Sequence, residues 1–207
     1  MFSRRCAALL VALCFVSVSA IPAQDVAART AAQKRFAQRL VAAAVDRTRH
    51  EITYDPAYVK IPYPGGDVPT DRGVCSDVVI RAYRKLGVDL QQKVHEDMRA
   101  AFAAYPKRWG LTRPDTNIDH RRVPNLAVFF ARHGQSLPVS EKPEAYFPGD
   151  IVTWDLGGGV PHIGIVTDRR SRDGKRPLLV HNIGAGPKLE DVLGSWRRTG
   201  HYRYFGD

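Results

Sequence analysis

The spacing of apolar positions predicts helices through the first two thirds of the chain and strands through the last third. Over residues 27 to about 50, Phe36, Leu40, Val41, Ala44 and Val45 recur at three- and four-residue intervals, which predicts a helix packing one stripe onto a core. A second helix is expected over 75–86, with Val78, Val79, Ala82 and Leu86 on one face and Gly87 as its stop. Asp89 is placed to cap a third, in which Leu90, Val94, Met98, Phe102 and Tyr105 fall close to one stripe before Pro106 and Gly110. A loop over 112–122 leads to a short helix opened by Pro124 and closed at His133-Gly134.

From Gly149 the character changes. Short runs rich in apolar or β-branched residues at 150–154, 162–167, 178–183 and 202–205 predict strands, with Gly157-Gly158-Gly159 and Asp173-Gly174 as turns. The stretch from Tyr54-Asp55-Pro56 to Pro69 is too punctuated for regular structure. Helices first and an antiparallel meander after them place the chain in the α+β class.

The first residues read as a secretory signal. Arg4 and Arg5 form a charged start, a nearly unbroken apolar stretch follows, and Val18-Ser19-Ala20 fits a small-residue cleavage site, with Ile21-Pro22-Ala23 offering a later cut. The apolar run falls short of the roughly 20 residues that span a bilayer, so no stable membrane insertion is expected after cleavage. The expected organisation is a leader over 1–20 and one domain over 21–207, long enough to bury a core without staples. The chain carries 31 Lys+Arg against 21 Asp+Glu, a net charge of +10, which suits an anionic partner. Export makes nucleic acid an improbable one. A bacterial periplasm or exterior is the expected location.

Removing the leader removes Cys6 and Cys14 and leaves Cys75 as the sole thiol. A lone thiol in an exported chain has no intramolecular disulfide partner, so it is either buried and inert or kept for its chemistry. A cysteine opening a helix gains thiolate character from the helix dipole, and a neighbouring imidazole completes an ion pair. His162, at the start of a strand, is the expected base. His181 on the next strand is the expected orienter of its ring, because adjacent antiparallel strands set side chains side by side. Asn182 is the fallback, and strand alternation allows only one of the two to face His162.

These residues resemble the NlpC-type cell-wall cysteine peptidases, a papain-like group that cleaves amide bonds in peptidoglycan peptides. The resemblance rests on Tyr63-Pro64-Gly65-Gly66 followed by Gly73-Val74-Cys75-Ser76, on Pro148-Gly149-Asp150-Ile151-Val152, on His162-Ile163-Gly164-Ile165 and on Val180-His181-Asn182, in that order over about residues 60 to 185. It implies a papain-like fold with Cys75 as nucleophile, His162 as base, His181 as third polar residue and Tyr63 beside the cysteine. Peptidoglycan or its stem peptides are the implied partner, with no cofactor and no metal. The chain departs from the family pattern in Cys75-Ser76-Asp77, where Cys-Ser-Gly is usual. It also carries a helical insertion at about 89–133 and a longer interval between His162 and His181.

Ser76, Asp77 and Trp154 are expected near the substrate, Trp154 as groove wall. The segment Asp119-His120-Arg121-Arg122 is either a solvated charge cluster or a grip for a substrate carboxylate. Asp77 is expected to cap or pair on the helix surface, and His50, His133 and His201 to lie at the surface or at helix ends. Competing readings are a buried structural thiol, a zinc site from Cys75, His162 and His181, an acyltransferase or transglutaminase-like enzyme on the same scaffold, and a non-catalytic cell-wall binding module.

Overall fold

The computed structural model describes residues 29–206. The leader and its cleavage point lie outside these residues. Helix α1 spans Ala31–Arg47, and its start is closed by a capping box in which Thr30 accepts from the Gln33 amide while the Gln33 side chain accepts from Thr30. Its buried side is Ala37, Leu40, Val41, Ala43 and Ala44. Two short parallel strands, β1 (Thr53–Tyr54) and β2 (Arg72–Gly73), bracket the punctuated stretch. Helix α2 is Cys75–Lys85, and Gly87 beyond its end has φ +85°, a left-handed conformation that ends a helix. Helix α3 is Leu90–Ala101, capped by the Asp89 carboxylate, and α4 is Val123–His133.

Six strands build the sheet: β3 (Gln135–Leu137), β4 (Ile151–Asp155), β5 (Pro161–Arg170), β6 (Pro177–Asn182), β7 (Pro187–Glu190) and β8 (Arg197–Arg203). Their order is β3-β8-β4-β5-β6-β7, all antiparallel. The class is α+β. The simple meander expected from sequence holds only for β4 to β7. Strand β8 returns across the sheet to pair with β4, and β3 pairs beside it.

Alternation along the strands separates two apolar layers. Ile151, Ile163, Ile165 and Val180 join the helical core with Leu40, Val79, Tyr83 and Phe130. On the opposite face Val152, Trp154, Val166 and Leu179 are covered by Tyr146 and Leu193. Residues 89–133 are not an appendage, since Leu126, Phe129 and Phe130 of α4 lie in the main core. The Pro148-Gly149-Asp150 turn is anchored by charge. The buried Asp150 carboxylate receives Arg203 at 2.8 Å and 3.0 Å, and His201 Nε2 lies 2.8 Å from it. His201, expected at the surface, is therefore an interior residue, because a buried carboxylate needs partners on every lone pair.

Candidate functional site

Cys75 is the first residue of α2, buried at the point where that helix packs on β5. The residue pairs of β5 with β6 run through Val166↔Leu179 and Ile165↔Val180. Ile163 lies beyond that end, and its backbone N–H turns to the Cys75 thiol. The peptide bond following His162 thus rests against the sulfur. The N–H groups of Cys75 and Ser76 also reach it, and the Tyr54 hydroxyl hydrogen-bonds to it from β1. Burial outweighs these donors and pushes the thiol up to about 11, with Asp77 adding to the rise. The expected resting thiolate is therefore not favoured: the helix start supplies donors, but the desolvated sulfur keeps its proton.

His162 Nε2 lies 2.9 Å from His181 Nδ1. On its far side, His181 Nε2 is 3.0 Å from the Glu190 carboxylate, a charge contact without the angle of a linear hydrogen bond. Continuing the β5–β6 register puts His181 opposite Gly164, and a Cβ added at Gly164 would sit 3.2 Å from the His181 Cβ and 3.3 Å from the Trp154 ring. The absent side chain at 164 leaves room for the two imidazoles to meet along the diagonal. Trp154 and Trp196 wall the pair, with ring centroids 5.6 Å and 5.8 Å from His162. Burial, and then His181, depress His162 to about 3. His181 is also lowered, burial outweighing the pull of Glu190. Both rings rest neutral. Asn182, the fallback orienter, accepts from the Gly184 amide and lines a crevice with Val74, Asp77 and Val78 instead.

Two residues past the thiol, Asp77 turns back over the helix start. Its carboxylate accepts from the Val74 amide at 2.7 Å and takes Arg121 in a two-pronged contact, both at 2.9 Å. Both side chains are buried, 3% exposed each. Asp77 thus caps the helix and pairs as expected, but in the interior and not at the surface, with its carboxylate committed to these partners. Arg121 is likewise committed: it donates to the carbonyls of Ala57 and Asp55, tying the chain after Tyr54 to the start of α2. Ser76 is buried and donates to the Arg121 carbonyl at 2.7 Å, so its hydroxyl is not offered to a substrate. His120 is interior too, lowered to about 4 by burial and by Arg121 and Arg84. Arg121 and Arg122 both line a cavity with Trp109, over whose ring the Arg122 guanidinium stacks at 4.1 Å.

Residues 41–204 match the family model described as "Domain of unknown function (DUF1287)". The chain belongs to this family. It is also 62% identical over 152 residues, 73% of this chain and 74% of the relative, to "Uncharacterized protein YijF" of Escherichia coli (strain K12). The DUF1287 match takes in Tyr54, Cys75, Asp77, Arg121, His162, His181 and Glu190 together.

In this DUF1287 chain the expected tyrosine is displaced. Tyr63 packs on His95 of α3, ring centroids 5.0 Å apart, and its Gly65-Gly66 turn donates to Asp89 and Gln91 at 2.7 Å and 2.8 Å. That motif docks a loop onto the start of α3. Tyr54, nine positions earlier, is the tyrosine at the thiol. Glu190, Trp196 and Tyr54 are the site residues that sequence reasoning passed over or left general. Among the described residues no group of three or more His, Cys, Asp or Glu side chains is arranged to hold a metal ion, and His162 Nε2 and His181 Nδ1 face each other. Among the described residues, too, no helix is long and apolar enough to cross a membrane.

Proposed function

We propose that this protein is an exported cysteine hydrolase of papain-like design that cleaves amide bonds in peptidoglycan peptides, with Cys75 as nucleophile. The observation that carries the proposal is the Ile163 N–H reaching the Cys75 sulfur from the residue after His162, with one consistent proton arrangement running from His162 through His181 to Glu190. His181 Nε2 faces a carboxylate and so bears the proton. In a neutral ring its Nδ1 is then the acceptor, so His162 Nε2 is the N–H that donates to it. The remaining nitrogen, His162 Nδ1, keeps its lone pair, and this reading assigns it the thiol proton.

Thiol and imidazole both rest neutral, so proton transfer accompanies attack and does not precede it. As the Cys75 sulfur adds to the amide carbonyl, His162 Nδ1 takes the proton. The positive charge this creates is stabilised through His181 by Glu190. The N–H groups at the start of α2 and the Tyr54 hydroxyl supply donors for the oxyanion. His162 then protonates the leaving amine, and water releases the acyl group. Trp154 and Trp196 exclude bulk water around the imidazoles, which strengthens each of these interactions. Release of peptide fragments from peptidoglycan tests the proposal, and undiminished release by Cys75→Ala would contradict it.

A further inference from the structure

A cavity of about 270 Å3 opens between the first turn of α4 and strands β4 and β8. Its lining includes Pro161, which immediately precedes His162, and Trp154, whose ring packs on the His162 ring on the other face of the sheet. Nothing in the proton arrangement of the site uses it.

Its floor carries a short chain of hydroxyls. Thr199 hydrogen-bonds Thr153 at 3.0 Å, and Thr153 bonds Tyr202. Three hydroxyls joined by two hydrogen bonds retain one proton to donate, and among the described residues no acceptor takes it. Two local devices hold the chain in place. The β4–β8 register passes from Thr153↔Gly200 to Trp154↔Arg198, which leaves Thr199 as the bulged extra residue, re-aimed beside Thr153. Gly200 lets the Tyr202 ring fold across it, since a Cβ there would meet the Tyr202 hydroxyl at 2.3 Å.

The charge of the lining is equally specific. Arg197 is matched by Asp155 at 2.7 Å. Arg108, exposed on the other side, has no ion pair or hydrogen bond among the described residues. One unmatched guanidinium and one unmatched hydroxyl proton suit a ligand with one negative charge and two acceptor oxygens. Asp155 weighs against a more highly charged anion.

We propose that this cavity is a subsite for a free carboxylate of the peptide being cleaved, gripped by Arg108 and the Thr199–Thr153–Tyr202 hydroxyls. The assignment rests on the hydrolase reading. It gives Arg108 the part that the sequence suggested for Arg121, which is locked onto Asp77.

The test uses the leaderless chain carrying Cys75→Ala, so that binding is read without turnover. Calorimetry compares a synthetic L-alanyl-γ-D-glutamyl-L-lysine peptide with the same peptide amidated at both free carboxylates. The free form is expected to bind about tenfold more tightly. Arg108→Gln removes that preference while leaving the amidated peptide's affinity unchanged, and Thr199→Val reduces it. Equal affinities for the two peptides, an unchanged preference in Arg108→Gln, or no binding of the free peptide each overturns the subsite. The hydrolase reading fails separately: a carboxylate preference that depends on Arg108, in a protein whose Cys75-bearing form releases no fragments, leaves the subsite and removes the reaction.

Discussion

His162 Nε2 and His181 Nδ1 stand 2.9 Å apart, and this one hydrogen bond determines which nitrogen of His162 is left with a free lone pair, the atom to which the proposed reaction assigns the base. Glu190 fixes its direction from the far end. Replacing His181 with Ala removes the orienting acceptor and is expected to lower kcat by about a hundredfold with little change in KM. Glu190→Gln keeps the shape and removes the charge that supports a proton on His181. About a tenfold fall in kcat is expected there, with the acid limb of the pH–rate profile moved to lower pH. A purely structural Glu190 would leave that limb where it is.

The thiol offers a second check. With Cys75 pushed up to about 11 by burial, the native protein holds little thiolate at neutral pH. Alkylation of native Cys75 by iodoacetamide is expected to be slow at pH 7 and to keep rising towards pH 11, whereas the unfolded chain levels off above about 8.5. Folding that favours the protonated thiol adds stability below the unfolded value, and this is lost as pH rises through about 11. A plateau near neutral pH in the native protein would show a resting thiolate.

Acid stability tests the burial of His162. Its folded value is lowered to about 3, so between the ordinary imidazole range and about pH 3 the unfolded chain binds a proton that the folded chain refuses. Stability from this residue is complete above the ordinary range and falls as pH drops towards 3. Urea midpoints of the wild type are therefore expected to fall more steeply from pH 7 to pH 4 than those of His162→Gln.

The Asp77–Arg121 pair predicts a loss of stability larger than a surface ion pair would give. Arg121→Met leaves a buried carboxylate without its partner and is expected to destabilise by about 3 to 5 kcal/mol in urea denaturation. Asp77→Leu combined with Arg121→Met is expected to recover part of that loss, because no buried charge is then stranded. If the pair lay in solvent, the single substitution would cost about 1 kcal/mol or less.

Local signals carried far along this chain. The apolar stripes placed all four helices to within a few residues, and Gly87 and Asp89 marked the break between α2 and α3. Strand alternation posed the choice between His181 and Asn182, and His181 is the one at His162. What failed to show were relationships across long separations. Asp77 meets Arg121, 44 positions away, so a run of Asp, His and Arg that reads as either a solvated cluster or a grip for a substrate carboxylate holds an interior clamp instead. Tyr54 and Glu190 gave no local pattern, since each reaches the site only after β1 or β7 is placed. The return of β8 to the side of β4 follows from sheet closure, which no single strand's pattern encodes, and with it comes the cavity at Arg108.

The most direct measurement is to incubate the leaderless protein, and separately its Cys75→Ala variant, with purified peptidoglycan and to identify released fragments by mass spectrometry. Release of peptide fragments by the wild type alone is the expected result, and the masses of their ends name the bond cleaved. Equal release by both proteins, or none by either, would contradict a Cys75-dependent hydrolase.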